Sequence, residues 1–332
     1  MTDKPNIFSF ATSELSQDAF IAWLLCWADK KYADVDPQLH QCGRKLVQAF
    51  FEKHQKPVPD YSSAVVTRQV SNIDVLCELD EQYAILVEDK THTGAHSNQL
   101  ERYLDAVIKR GYGREKILPI YFKTGDQSCY EAIHSKGYQP FLRQDFLQVL
   151  RAGKGVSSDV FQSYFSHLQH LEDQVESYRT KPISEWGWHS WIGFYKALKQ
   201  HLGEGNWGYV PNQSGGFLGY WLGFHGVCHV QLANNQELRF RISVKDASQR
   251  SALRQQRFKQ IAQNSESFGF KTKKPPKFGS GESMVVALLD APDFRQQDEN
   301  GYIDMDATAN LILQAKALLQ RLEADAVLAK SA

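Results

Sequence analysis

The stretch IDVLCELDEQYAILVEDK, residues 73–90, decides the fold. Two runs rich in branched residues, 73–79 and 83–90, flank the polar connection Asp80-Glu81-Gln82, which has a common hairpin length. If Leu79 pairs with Tyr83, then Cys77 faces Ile85 and Val75 faces Val87 on one apolar side, while Leu76 meets Leu86 on the other. In that register Asp74 lies directly opposite Glu88. Side chains so placed come within about 5 Å at Cβ, and like charges there oppose pairing. A divalent cation between the two carboxylates compensates, and hard oxygen ligands suit magnesium or manganese. The two-residue period of a strand puts Lys90 on the same face as Glu88. Two carboxylates and a lysine on one sheet face are a constellation suited to phosphodiester hydrolysis.

Working outward, residues 64–70 read as a strand, so 64–90 forms an antiparallel meander. Residues 13–28 are apolar on nearly all sides after Asp18 and read as a buried helix, and 37–54 as a second. After the meander, Leu100, Tyr103, Leu104, Val107 and Ile108 recur at helical spacing, so 99–110 is an amphipathic helix. A strand at 117–122 follows, then helices at 142–152 and 159–178. The leading order is α-α-β-β-β-α-β.

Ile73-Asp74 followed by Glu88-Asp89-Lys90 resembles the paired motifs of the PD-(D/E)XK nuclease superfamily, with Ile73 in place of the nominal proline. Gln99 and Tyr103 resemble the Q-x-x-x-Y signature of several branches, and FATSELSQDAFIAWLL, residues 10–25, resembles the opening of a prokaryotic group of mostly unassigned function. The resemblance implies a restriction-endonuclease-like α/β fold with an α-β-β-β-α-β core and a mixed central sheet. It implies that Asp74, Glu88 and the backbone carbonyl of Asp89 bind Mg²⁺, with Mn²⁺ as a substitute, and that Glu14 completes or orients a second ion. Lys90 would steer or deprotonate the attacking water, and Gln99 and Tyr103 would position the lysine, water or phosphate. The implied activity is cleavage of DNA. RNA stands as an alternative substrate, and a catalytically silent binding or scaffold module as an alternative role.

The domains expected are 1–180, nuclease-like, and 183–332, an α+β accessory domain with an antiparallel sheet. A length of 332 residues favours two domains, and 42% hydrophobic residues suffice for a core in each. In the second half the strands fall near 207–210, 217–224, 227–232 and 237–244, with helices at 247–263 and 307–322. Its tryptophans, Trp186, Trp188, Trp191, Trp207 and Trp221, read as packing rather than base stacking. Arg250, Arg254 and Arg257 share one helix face and, with Lys273 and Lys274, are the candidate nucleic-acid contacts; Lys271 and Lys277 lie in the same basic patch. A solvated charged face is the competing reading, since the formal net charge is zero.

Five scattered cysteines without a CxxC pair suggest buried thiols and not a zinc site. His92 and His96 read as exposed loop histidines, and His167 and His170 as core or surface residues, so none joins the metal set. No apolar leader or membrane-length run stands out, which places the chain in the cytoplasm by expectation, with no membrane partner. A homodimer or a partner protein stays open.

Overall fold

A computed structural model describes residues 5–91, 94, 98–153, 155–212 and 215–331. The chain divides into two compact units, Met1–Asp173 and Gln174–Ala332.

The first unit opens with α1 (Glu14–Cys26) and α2 (Pro37–Lys53). Asp36 starts α2 by accepting the amides of Gln38 and Leu39, with Pro37 at the first helical position. The two helices approach closely at Gly43, where an added Cβ would lie 2.6 Å from both Ala28 N and Leu24 O. Only a residue without a side chain fits there.

Then come β1 (Ala64–Val70), β2 (Ile73–Leu79), β3 (Tyr83–Lys90), α3 (Gln99–Lys109) and β4 (Ile117–Lys123). The expected hairpin register is the one observed: Leu79↔Tyr83, Cys77↔Ile85, Leu76↔Leu86 and Val75↔Val87. Because α3 carries the chain back across the sheet, β3 pairs with β4 in parallel. The sequence reading lacked the next two elements, a short α4 (Glu131–His134) and β5 (Gln139–Leu142). Strand β5 is brief, and it ends where the Asp145 carboxylate accepts the Leu142 amide and starts α5 (Arg143–Arg151). Helix α6 (Asp159–Glu176) follows. The sheet order is β1-β2-β3-β4-β5, antiparallel on the β1 side and parallel on the β5 side.

Alternation along the strands gives this sheet two buried faces. Val75, Cys77, Ile85, Val87, Leu118, Ile120 and Phe122 pack with α1 and α2 residues such as Leu24, Leu25, Leu46 and Phe50. Leu76, Leu86 and Tyr121 pack with Leu100, Tyr103 and Val107 of α3. Each such side chain stabilises the fold by about 1.5–3 kcal/mol on burial. The sheet is thereby held between two helical layers, and its strand ends are fixed in space.

The second unit has α7 (Trp188–Leu202), β6 (Asn206–Val210), β7 (Phe217–Trp221), β8 (Cys228–Ala233), β9 (Leu238–Ser243), α8 (Arg250–Asn264), β10 (Thr272–Lys273), β11 (Ser283–Leu289) and α9 (Met305–Ser331). Its strands form an antiparallel sheet in the order β10-β11-β9-β8-β7-β6. Leu218, Tyr220, Val230, Leu232, Phe240, Ile242 and Val286 form one core with Phe194 of α7, Ile261 of α8 and Ile312 and Leu318 of α9. Trp191 and Trp207 are buried in that core. Helix α9 runs past the expected 322 to Ser331. The five cysteines are free thiols, of which Cys42, Cys77 and Cys228 are buried. Among the described residues no helix is long and apolar enough to cross a membrane.

Candidate active site

The β2–β3 ladder stops one pair short of the charged residues. Val75↔Val87 is its last pair, with Asp74 and Glu88 at the next position beyond it. The Asp74 carboxylate accepts the Asp89 amide at 2.9 Å. The opposite edge of β2 is irregular too. Gln69, Ser71 and Asn72 have φ near +60°, a conformation costing a non-glycine residue about 1–2 kcal/mol. Gln69 turns its amide to within 3.4 Å of both Asp74 Oδ1 and Asp18 Oδ2. The regular pairing therefore ends where the acids gather.

Glu88 is fully buried. Burial pushes its carboxyl up to about 8, the Asp74 charge adds to the rise, and Lys90 opposes both. Lys90 Nζ forms an ion pair with Glu88 Oε1 at 2.6 Å, and the buried Oε2 has no hydrogen-bond partner. The same ammonium donates to the Asp89 carbonyl at 2.8 Å and lies 3.9 Å from Asp74 Oδ2 and 3.8 Å from Glu14 Oε2. Burial alone would favour losing its proton, but Glu88, Asp74 and Glu14 outweigh burial and hold it above its usual value. Lys90 is thus the hub of four oxygen-bearing groups.

Glu14, in the first turn of α1, reaches this hub from another element. Its Oε1 accepts the Thr91 amide at 3.0 Å. One turn along the same helix, Gln17 and Asp18 are buried. The side chain of Asp89 points to their side of the sheet, opposite to Glu88 and Lys90, as the strand period requires. Gln17 donates to Asp89 Oδ1 at 2.5 Å and accepts from Thr124 Oγ1 at 2.7 Å and the Tyr164 hydroxyl at 3.1 Å. Burial and then the neighbouring Asp18 hold the Asp89 carboxyl well above its usual range. Asp18 rises to about 6, through burial and then Asp74. This second cluster anchors the end of β3, so Asp89 serves the site through its backbone.

Lys123 is a further buried cation, missed by sequence reasoning. It pairs with Lys90 across the parallel β3–β4 ladder, which puts both on one face. Burial pulls its pKa down to about 8, against the pull of Glu14 and Asp89. For Gln17 and Asp18 the signal was available, since positions three and four after Glu14 share its helix face. For Lys123 it was not, because no local pattern sets the register of strands joined through a helix.

The other candidates make the following contacts. Gln99 donates to the Tyr103 hydroxyl at 2.9 Å, and neither hydrogen-bonds to Asp74, Glu88 or Lys90 among the described residues. In the second unit, Arg250 donates to the Val244 carbonyl at 2.9 Å and Arg254 to the Gly279 carbonyl at 2.6 Å. Arg257 is buried against Glu323 at 3.1 Å. Lys273 meets Asp290 at 3.2 Å, and Lys274 lies 4.9 Å from the Phe278 ring centre. His92 and His96 fall outside the described residues. His167 is half-buried beside Phe8 and Tyr164.

As a metal site the donors are two carboxylates and a carbonyl, with Glu14 beside them. Among the described residues no three His, Cys, Asp or Glu side chains converge as a ready cage. Magnesium does not need one: it keeps several waters and is held by one or two carboxylates plus substrate phosphate. The buried Glu88 Oε2, lacking any partner, suits such an ion. Donor chemistry and this orphaned oxygen both fit.

Residues 5–153 match the family model described as the PD-(D/E)XK nuclease superfamily. The matched segment contains the whole acid and lysine hub and the mixed sheet through β5. Comparisons with the curated proteins and with the solved structures each found no match.

Proposed function

We propose that the chain is a metal-dependent nuclease hydrolysing DNA phosphodiester bonds, with Asp74, Glu88 and Lys90 as its catalytic core. One observation carries the reading: Glu88, Asp74, Glu14 and the Asp89 carbonyl converge within 3.9 Å on a single ammonium at the end of a nuclease-superfamily sheet. Structural ion pairs seldom gather three carboxylates around one buried lysine, because each carboxylate loses hydration that a lone cation does not restore.

Asp74, Glu88 and the Asp89 carbonyl would hold a magnesium ion, with Glu14 at its edge. When bound, such an ion lowers the pKa of water and neutralises charge on a phosphoryl group. The protein's own part is positioning and charge. Asp74 is fixed by the Asp89 amide, so its carboxylate stays aimed into the site. With no metal bound, Glu88, Asp74 and Glu14 hold the proton on Lys90, and the side chain is placed to steer or deprotonate the attacking water or to bind a phosphate oxygen. Gln17, through Asp89 and Thr124, holds the ends of β3 and β4 in place.

The test is incubation with supercoiled, linear and single-stranded DNA and with RNA, each with magnesium or manganese, beside Asp74→Ala and Lys90→Ala. The expected result is DNA cleavage lowered by about 10²-fold or more in each variant with unchanged circular dichroism. Cleavage at the wild-type rate in either variant, or none of any substrate by the wild type, would refute it.

A further inference from the structure

The sheet of the second unit has one face packed against α7, α8 and α9. Its other face carries Phe217 and Trp221 on β7, His229 and Gln231 on β8, and Arg239 and Arg241 on β9, the residues that alternate with the core positions. The register brings them together: Trp221↔Gln231, Gln231↔Arg239 and His229↔Arg241.

Arg241 is the unusual member. Its guanidinium donates to Gln231 Oε1 at 2.7 Å and to Ser283 Oγ at 2.9 Å, and its buried Nε has no partner. Among the described residues it has no ion pair with a carboxylate, and the charge that acts on it is another cation, Arg239, which is itself paired with Glu237 at 2.8 Å. The buried guanidiniums elsewhere differ: Arg143 meets Asp126 and Glu172, Arg257 meets Glu323, and Arg295 meets Asp293. A half-buried cation without a counter-charge is costly, so the site is complementary to an anion. Beside it, His229 is buried with an unpartnered Nδ1. Burial, then Arg241, pulls its pKa down to about 4, so at neutral pH the ring adds hydrogen-bonding capacity without charge.

The surroundings of this anion site are aromatic. Phe224 packs against His229 with ring centres 4.4 Å apart and planes tilted by 55°, and is 58% exposed. Trp221 and Phe217 lie on the same face, Phe217 beneath Arg239 at 4.7 Å. Phe224 is the exposed ring and Trp221 is part-buried; a face that offers cations to a phosphate and aromatic rings to unstacked bases is a recurrent way of holding single strands. Duplex offers this face phosphates but no ring faces. We propose that it binds single-stranded nucleic acid, with a backbone phosphate on Arg241 and bases stacked on Phe224 and Trp221. This rests on the nuclease reading for its purpose and names the form of substrate the chain holds.

The test uses the full chain without divalent metal, so that binding is read apart from cleavage. Fluorescence anisotropy with a labelled oligothymidylate of about twenty nucleotides compares the wild type with Arg241→Met and Phe224→Ala, and circular dichroism checks that each is folded. The expected loss is about tenfold in affinity for each variant, with a shallower salt dependence for Arg241→Met alone. Phe224, being exposed, keeps the inference testable should Arg241→Met fail to fold. Unchanged affinity in a folded variant, equally tight binding of duplex, or equal competition by a polyglutamate peptide would overturn it. Cleavage that persists while both variants bind as the wild type refutes this inference and leaves the nuclease reading intact. Weakened binding by the variants of a chain that cuts nothing does the reverse.

Discussion

Replacing Glu88 with glutamine in the metal-free protein tests the buried carboxyl directly. Glu88 titrates near 8 in the folded chain, against 4.5 for an ordinary glutamate. Between these values the folded state binds a proton that the unfolded state has released. The contribution of Glu88 to stability therefore falls as pH rises from about 4.5 to about 8, and is flat beyond, with a slope of at most about 1.4 kcal/mol per pH unit. Glutamine has no such titration. Asp18 and Asp89 also titrate abnormally, but they are present in both proteins, so their contributions cancel in the difference. Relative to Glu88→Gln, the wild type should lose about 4 kcal/mol between about pH 5 and about pH 8. For a unit of this size that is a shift of roughly 8–16 °C in the melting temperature of the first transition. The assay is thermal and urea unfolding of both proteins in chelator across that range, followed by circular dichroism. Magnesium at about a hundred times its Kd should then restore about 2.7 kcal/mol to the wild type near pH 8 and little to Glu88→Gln. Unfolding curves whose separation does not change with pH would refute the burial argument, whatever the activity.

Three further substitutions probe the support of the site. Gln17→Ala removes a donor to Asp89 and the acceptor for Thr124 and Tyr164, so it should cost about 1–3 kcal/mol in urea unfolding; an unchanged midpoint would mean the cluster is idle. Gly43→Ala places a methyl against the backbone of α1, the helix that carries Glu14, and should cost about 1–3 kcal/mol. Its cleavage rate at low temperature should fall as well, and a folded variant of full activity would show that Glu14 tolerates displacement. Arg143→Leu leaves Asp126 and Glu172 without their buried partner and should destabilise by about 3–5 kcal/mol, read from the denaturation midpoint.

Much of the first unit is legible in the amino-acid sequence. The hairpin register of 73–90 follows from period-two alternation and a short connection, and it is the register observed. The amphipathic spacing of α3 and the capped start of α2 are equally local signals. Strand β5 is not legible, because its four residues are too few to show a period and become a strand only through pairing with β4. In the second unit the basic residues on α8 read as a stripe for phosphates or as a solvated face, and in the structure they donate to carbonyls, to Ser251 and Gln260 and to Glu323. Helical spacing shows which residues share a face and not what that face meets.

The sequence by itself determined that Asp74, Glu88 and Lys90 share one face of a hairpin, because alternation and a fixed turn length are short-range consequences of backbone geometry. Tertiary structure alone decided what those residues experience. The regular ladder ends at Val75↔Val87, and beyond it the two acids, which raise one another's cost of ionisation, are also linked through Lys90 and the Asp89 amide. Glu14, Gln17 and Asp18 from α1, and Lys123 from β4, come from positions distant in the chain and bring further charge and hydrogen bonds to this strand end. Burial sets the proton affinity of Glu88, and burial is a property of everything packed around a residue, which no local pattern contains.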